Sequence, residues 1–312
     1  MMKKYKFFGL QISFFSLMGL IFVSSCSPKK SDTPLSQASA EVPITIGVQP
    51  NESAKDLSEL QSVLSQKMNR KIEFYKPTDY GQLVEAFSQK KIEFAFMTGL
   101  VFIEAEKTSE AKALLKKVYG KNEFYYSAII VNSKSKFRKL SDLKGKKFGF
   151  VDPKSTSGYL YPRVMLRKSG LDAGEGLIPS EKVLSSEFFG THEKAVAALV
   201  EGKVDAVSVW SDEPSEKTGA WTEDNFKQNP EIQFRVIEYS DPIPNDVFAV
   251  RESYYKEHAM VVFKLMETLI GLSEESGNVL KKSLDVERLT TATSRHYDSV
   301  RALKELIKET GK

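Results

Sequence analysis

The chain has 312 residues, of which 28% are charged and 41% hydrophobic, and its 45 basic and 41 acidic side chains give a formal net charge of +4. This near balance does not indicate nucleic-acid binding, and the single cysteine, Cys26, excludes an internal disulfide. About 270 residues follow the N-terminal region, which is enough for one large or two medium domains with cores of their own.

The N-terminal residues have the pattern of a lipoprotein signal peptide. Three lysines precede an apolar segment from Phe7 to Val23, and two serines then lead to Cys26. Small residues before a cysteine favour cleavage there after the thiol has been acylated, so we predict a signal peptide over residues 1–25 and a lipid on Cys26. A short transmembrane anchor and a signal that ends elsewhere are the alternatives. Removal of the signal takes away three lysines and no acid, so the formal charge falls from +4 to +1.

The remaining chain is predicted to alternate strands and helices after a tether. Residues 26–42 are polar and contain several serines and prolines, which predicts a flexible tether. By apolar periodicity, the predicted strands are 44–48, 71–75, 92–97, 124–131, 147–151, 204–209, 232–237 and 247–250. The predicted helices are 53–68, 80–89, 100–107, 162–168, 192–201, 254–272, 278–283 and 294–310, so the chain after residue 250 is expected to be nearly all helical.

This order predicts an α/β fold with two lobes. Residues 43–128 and 245–312 are assigned to lobe 1 and residues 129–244 to lobe 2, so two strands cross between the lobes. A pair of crossings forms a hinge, and a hinged pair of lobes binds its ligand in the cleft between them.

The run Ser155-Thr156-Ser157 is the strongest indication of a binding site. It follows an apolar strand and precedes a helix, where unpaired backbone N–H groups, the helix dipole and hydroxyl donors favour an oxyanion. Such a site needs no lysine or arginine. The alternative is that Ser155 or Ser157 only caps the helix and Gly158 only relieves the turn.

Several motifs in order resemble those of the periplasmic binding proteins of phosphonate, phosphite and phosphate ABC transporters. The resemblance covers residues 44–255, and it implies a two-lobed (type II) solute receptor without catalytic activity. Its markers are Asp79-Tyr80-Gly81, Tyr125-Tyr126-Ser127, the segment 140–146, the segment 152–162, the segment 192–206 and Pro242-Ile243-Pro244-Asn245-Asp246.

The resemblance also implies roles for individual residues. Ser155, Thr156 and Ser157 would grip the phosphorus oxyanion. Further donors and acceptors would come from Tyr80, Tyr125, His192 and Asp246, and an acid that binds an amine on the ligand would be Asp212, with Glu213 as the alternative.

These assignments have alternatives. His192 could be structural and Asp246 a turn residue, and only one of Tyr125 and Tyr126 can face the cleft because strand side chains alternate. Thr98 also counts as a candidate ligand residue, since Thr98-Gly99-Leu100 stands where the family usually shows Gly-Pro and an aromatic residue. Trp210 and this altered segment could favour a different small organic solute.

The predicted function is that of a lipid-anchored, solute-binding component of an ABC importer that captures a small phosphorus oxyanion. The expected partners are the ligand, an ABC permease and the membrane, reached through the lipid on Cys26; the protein is expected to be a monomer on the periplasmic or extracytoplasmic face. A ligand-sensing receptor is an alternative. A hydrolase that uses Ser155 or Ser157 with His192 and Asp246 is disfavoured, because no Gly-x-Ser-x-Gly elbow is present.

No cofactor or metal site is predicted. His192-Glu193 lacks the second histidine of a zinc-protease helix. The lysines Lys112, Lys116 and Lys117 are predicted to form a solvated face.

Overall fold

The computed structural model describes residues 42–171, 185–215, 217–222, 233–273 and 278–309. The predicted signal peptide, Cys26 and the tether up to residue 41 lie outside these ranges. Within the described ranges, no helix is long and apolar enough to cross a membrane.

Strands and helices alternate along most of the described chain. The strands are β1 (Ile44–Gly47), β2 (Ile72–Tyr75), β3 (Phe94–Met97), β4 (Ala111–Val118), β5 (Phe124–Asn132), β6 (Lys147–Phe150), β7 (Ser185–Phe188), β8 (Ala206–Ser211), β9 (Phe234–Tyr239), β10 (Ile243–Pro244), β11 (Val247–Arg251) and β12 (Arg288–Thr291). The helices are α1 (Ser58–Met68), α2 (Tyr80–Ser88), α3 (Gly99–Ser109), α4 (Tyr161–Lys168), α5 (His192–Val200), α6 (Glu252–Glu257), α7 (Ala259–Gly271), α8 (Val279–Leu284) and α9 (Asp298–Glu309). A π-helical turn, Thr156–Leu160, leads directly into α4.

The strands form two mixed sheets, which confirms the predicted α/β fold. The first sheet has the order β12-β4-β11-β3-β1-β2, and the second has the order β10-β5-β8-β6-β7 with β9 also paired to β5. In the first, β1 is parallel to β2 and β3, whereas β11 is antiparallel to β3 and β4. In the second, β6 is parallel to β7 and β8, whereas β5 is antiparallel to β8 and β9. We call the elements on the first sheet the first lobe and those on the second sheet the second lobe.

The chain passes between the two sheets at two places. It leaves the first sheet after β4 and enters the second at β5, and it returns between β10 and β11 through residues 245 and 246. The sequence predicts two crossings with the first lobe boundary at residue 128, whereas the second sheet already begins at Phe124 of β5. Asp246 therefore lies on the return crossing itself.

Each sheet is covered with apolar side chains on both faces. In β3, Phe94 and Phe96 pack on one side with α1 and α7, whereas Ala95 and Met97 pack on the other with α2 and α3. This follows from the period of two in a strand, and burial on both faces explains why β3 reads as a continuous apolar run.

Three helices whose amino ends carry predicted site residues are capped by side chains. The caps of α2, α3 and α5 each accept the backbone N–H three residues further on, and they are Asp79, Thr98 and Thr191. A cap satisfies one otherwise unpaired N–H group and fixes where the helix begins. The positions of Tyr80 and His192, which directly follow two of these caps, are thereby fixed.

Some predicted elements are wrong. The chain after residue 250 is not nearly all helical, because β12 pairs with β4 at the edge of the first sheet. The predicted helix 254–272 is two helices, since His258 leaves the helical conformation with φ −130° and ψ 38°. Strands β4 and β7 were not predicted either, and neither segment alternates clearly between apolar and polar residues.

The predicted solvated lysine face is wrong for two of its three members. Lys112 is exposed, but the side chains of Lys116 and Lys117 are only 6% and 1% exposed. Both buried ammonium groups are paired with acids, Lys116 with Glu123 and Lys117 with Glu52.

Candidate functional site

A cavity of about 160 Å³ lies between the two lobes. An engineered cavity of about 150 Å³ in another protein binds benzene, so a cavity of this size suits a ligand of a few heavy atoms. Eight of the nine predicted ligand residues line it: Tyr80, Thr98, Tyr125, Ser155, Ser157, His192, Asp212 and Asp246. The ninth, Thr156, is buried outside it.

The π-helical turn presents Ser155 and Ser157 to the cavity. The Ser155 hydroxyl accepts the N–H of Gly158 at 3.0 Å, so this residue both caps the turn and lines the cavity. A Cβ on Gly158 would lie 2.4 Å from Cγ2 of Val151, so the turn packs against Val151, which directly follows β6, only because Gly158 has no side chain. π-helical turns occur frequently at functional sites.

Thr156 connects the lobes. Its hydroxyl accepts the backbone N–H of Leu100, the second residue of α3, at 2.9 Å, and Thr156 is fully buried. Nearby, Thr98 Oγ1 donates to the Lys154 carbonyl at 3.2 Å and accepts the Val101 N–H at 3.2 Å. The hydroxyls of Thr156 and Thr98 are therefore engaged in holding the turn against the amino end of α3.

Two phenols reach the cavity: Tyr80 of α2, which is buried, and Tyr125 of β5, which is partly buried. Burial, and then the carboxylate of Asp246, raise the pKa of Tyr80 and of Tyr125 far above the ordinary value for tyrosine. Both hydroxyls therefore stay protonated and can donate. Tyr126, one residue further along β5, does not line the cavity, which is consistent with the alternation of side chains along a strand.

His192 lies at the amino end of α5 and is neutral. Burial lowers the pKa of His192 to about 3. Its Nδ1 accepts the backbone N–H of Trp210 at 3.3 Å, so the ring hydrogen is on Nε2. The imidazole can therefore donate one hydrogen bond in the cavity without carrying a charge.

Asp246 is the acceptor in this set of donors. Gln49 Nε2 donates to Asp246 Oδ2 at 2.6 Å, and the ammonium of Lys117 lies 3.7 Å from the same oxygen. Lys117 also forms a salt bridge with Glu52 at 2.5 Å, and both of these side chains are almost completely buried. Burial raises the pKa of Asp246 above the ordinary value for aspartate, and Lys117 and Gln49, which lower it, offset only part of this rise.

Further acids lie along the cavity wall. Asp212 lines it from the second lobe and Asp285 from the first, and burial raises the pKa of Asp212 while Asp285 raises it further. Glu213, the alternative to Asp212, is exposed and does not line the cavity.

Sequence reasoning missed several lining residues. They include Gln49, Tyr119, Asn245 and Asp285. Asn245 is fully buried; its Nδ2 donates to the Asn122 carbonyl at 3.0 Å, but its Oδ1 has no hydrogen-bond partner within the described chain. Asn245 adjoins Asp246 in a Pro-rich turn, which was the one signal that could have drawn attention to it.

Comparison with known proteins gives a family match over most of the chain. The family described as ABC transporter, phosphonate, periplasmic substrate-binding protein matches residues 46–297. The phosphate-import protein PhnD of Mycolicibacterium smegmatis is 28% identical over 243 residues, which are 75% of this chain and 74% of that protein. The phosphonates-binding periplasmic protein of Escherichia coli is 25% identical over 251 residues, 76% of this chain and 69% of that protein.

Solved structures share the fold. PhnD1 from Prochlorococcus marinus in complex with methylphosphonate has a TM-score of 0.71 at 15% identity and covers 85% of this chain and 98% of its own. The aliphatic sulphonate binding protein SsuA from Escherichia coli has a TM-score of 0.59 at 16% identity and covers 86% of this chain and 87% of its own. The two-lobed fold, the cavity between the lobes and the match over residues 46–297 together show that this chain belongs to the family of periplasmic substrate-binding proteins of phosphonate ABC transporters.

Proposed function

We propose that this chain captures a small phosphorus oxyanion between its two lobes and presents it to the permease of an ABC importer. The observation that carries the proposal is the convergence of neutral donors on one cavity: hydroxyls from the π-helical turn, two phenols and a neutral imidazole. No arginine is among the described residues that line it, and Lys55, a lysine that does, donates to the Leu284 carbonyl at 3.1 Å. Donors of this kind hold an anion by hydrogen bonds and by the dipole of a helix amino end.

The geometry supports different roles, donor or acceptor, for the residues around the ligand. Ser155, Ser157, Tyr80, Tyr125 and His192 would donate to the oxygens on phosphorus. Asp246 would accept from a P–OH group or from an amine, because a carboxylate facing an unprotonated oxygen would repel it. Each hydrogen bond to a charged oxygen contributes roughly 1.5 to 3 kcal/mol, so the loss of one donor should weaken binding about tenfold or more.

The ligand class is a phosphonate, phosphite or phosphate. The names of the two relatives, phosphate import and phosphonate binding, support this class. Asp212 and Asp285 supply negative charge at the wall, which would favour a phosphonate that carries an amine. The alternative is a different small organic solute; a sulfonate group would offer no proton to Asp246.

We propose that residues 43–128 with 245–312, and residues 129–244, correspond to two lobes that move about the two crossings, except that residues 124–128 belong to β5 and would move with the second lobe. We further propose that a lipid on Cys26 holds the protein to the membrane, that it acts as a monomer, and that it has no catalytic activity. The hydrogen bonds of Ser155, His192 and Asp246 support the last point, because each goes to a different partner and none joins the three side chains.

Calorimetric titration of the purified full chain tests the function. Methylphosphonate, phosphite, phosphate, an aminoalkylphosphonate and sulfate are the probes, and we expect at least one phosphorus oxyanion to bind more tightly than sulfate. The variant Asp212→Asn should weaken the aminoalkylphosphonate selectively and leave methylphosphonate unchanged. Equal binding of sulfate and of every phosphorus oxyanion, or turnover of a phosphoester, would contradict the proposal.

A further inference from the structure

Lys117 is a buried cation directly behind the cavity. It lies on β4, its side chain is 1% exposed, and its ammonium is 2.5 Å from Glu52 Oε1 and 3.7 Å from Asp246 Oδ2. The ammonium also lies 5.0 Å from the centre of the Phe96 ring. Lys117 itself is not among the residues that line the cavity, so it acts on a ligand only through its neighbours.

The two acids that pair with Lys117 differ in whether a carboxylate oxygen can still accept a hydrogen bond from a ligand. Glu52 is fully engaged, because Oε1 pairs with Lys117 and Oε2 accepts the Gln49 N–H at 3.2 Å. Asp246 uses only Oδ2, for Gln49 and Lys117, and no hydrogen bond of the described residues uses Oδ1. The Asp246 side chain is 16% exposed and lines the cavity, so Oδ1 is the acceptor that a ligand meets.

We propose that Lys117 is a specificity-determining residue: its ammonium keeps the Asp246 carboxylate charged, so the site accepts an oxyanion only when the ligand brings a hydrogen-bond donor to Asp246 Oδ1. This inference rests on the proposed function, since it names the charge state of the oxyanion that the same cavity takes. A charged carboxylate out of water needs a nearby cation, and Lys117 is the cation that contacts it.

Among the titratable groups that act on Asp246, Lys117 is the one that favours its charged form. Glu52 is a second acid, and it raises the pKa of Asp246, as burial does, whereas Lys117 lowers it. Burial and Asp246 raise the pKa of four nearby phenols, which stay neutral: Tyr80, Tyr119, Tyr125 and Tyr297. The same cavity is lined by the neutral His192, by Asp212 and Asp285, and by Lys55, whose ammonium donates to the Leu284 carbonyl at 3.1 Å. Without Lys117, burial and Glu52 both favour the protonated acid.

The two charge states of Asp246 select different ligands. A charged Asp246 accepts the P–OH of monoanionic methylphosphonate and repels sulfate, which has no proton near neutral pH. A protonated Asp246 donates, and then sulfate and dianionic methylphosphonate both become acceptable. Replacement of Lys117 by a neutral residue should therefore collapse the preference for methylphosphonate over sulfate.

The test is calorimetric titration of the full chain with methylphosphonate and with sulfate, from about pH 6 to about pH 8.5. In the wild type, we expect methylphosphonate affinity to fall as its second proton is lost, and sulfate to bind weakly throughout. In Lys117→Met, we expect the affinity ratio of methylphosphonate to sulfate to fall about tenfold or more. We also expect methylphosphonate affinity to decline less steeply with pH than in the wild type. The matched control is Lys116→Met, since Lys116 is also buried on β4 but pairs with Glu123 at 2.6 Å.

A second variant keeps the inference testable if Lys117→Met does not fold. Glu52→Gln/Lys117→Met removes an ion pair together, which buried sites tolerate better than removal of one partner. It should lower the affinity ratio as Lys117→Met does. Thermal unfolding of each variant, followed by circular dichroism, shows which of them are folded.

The outcomes separate this inference from the proposed function. If the wild type binds no phosphorus oxyanion, both fail. If the wild type prefers methylphosphonate and both folded variants keep that preference and its pH dependence, the role of Lys117 is wrong while the proposed function stands. If the wild type binds methylphosphonate with no change as its second proton is lost, Asp246 does not require a donor, and the inference is again overturned.

Discussion

The hydroxyl of Thr156 accepts the backbone N–H of Leu100 at 2.9 Å and thereby joins the Ser-Thr-Ser turn of the second lobe to the amino end of α3 in the first. The Lys154 ammonium adds a salt bridge to Glu104 of α3 at 2.9 Å. The turn that carries the hydroxyl donors is thus positioned by direct bonds to the opposite lobe. Under the proposed lobe motion, these contacts would couple ligand binding at Ser155 and Ser157 to the approach of the lobes.

Replacement of Thr156 by valine keeps the shape of the side chain and removes the acceptor of the Leu100 N–H. An unpaired buried N–H costs about 1 to 3 kcal/mol, so we expect methylphosphonate affinity to fall about tenfold, mainly through faster dissociation. Stopped-flow kinetics would measure this. Thr156→Ser retains the hydroxyl and should bind nearly as the wild type does; an unchanged dissociation rate in Thr156→Val would contradict the coupling.

Ser155 and Ser157 should differ in their effect on folding. Ser155→Ala removes a ligand donor and the cap of the π-helical turn, so it should weaken binding and also lower the free energy of unfolding by about 1 kcal/mol. Ser157→Ala should weaken binding about tenfold with a smaller loss of stability. Titration calorimetry and urea unfolding of both variants test this, and equal losses of stability would show that the cap does not distinguish them.

His192 should make the folded state sensitive to acid. Its pKa is about 3 in the folded protein, against about 6.5 when unfolded, so between these values the unfolded chain binds a proton that the folded chain does not. Stability is therefore full above about pH 6.5 and is lost as the pH falls, by up to about 1.4 kcal/mol per pH unit.

Urea unfolding from about pH 7 to pH 5 measures the contribution of His192. In His192→Gln we expect a shallower loss of stability with falling pH than in the wild type. The control is His258→Gln, because the His258 side chain is 44% exposed. An identical slope in His192→Gln and the wild type would mean that the buried imidazole is not the source.

Gly158→Ala should disrupt the turn. The new Cβ would lie 2.4 and 2.5 Å from Val151 side-chain atoms and 2.8 Å from the Ser155 hydroxyl oxygen, so the turn must shift. Overpacking of this kind costs about 1 to 3 kcal/mol of stability, and we expect a loss of ligand affinity with it. Gly271→Ala, where a Cβ meets nothing within 4 Å, is the control and should be neutral or slightly stabilising. Wild-type binding by Gly158→Ala would show that the turn tolerates a side chain.

The elements that the sequence predicts well are those with a clear apolar period. Strand β3 and helix α5 are examples, because the burial of one strand or one helix face leaves a repeat of two or of about three and a half residues. Strand β4 was missed because Lys112, Lys116 and Lys117 interrupt its apolar residues, and β12 because Arg288–Thr291 is short and lies at the sheet edge.

The sequence by itself determined the α/β class, the order of the two lobes and the hydroxyl run at 155–157, because these follow from local periodicity and from residues adjacent in the chain. Tertiary structure alone decided that Thr156 bonds across the cleft to Leu100, and that Lys117 lies between Glu52 and Asp246. These partners come from distant segments, and the burial that makes a lysine pair with acids rather than face water exists only in the folded chain.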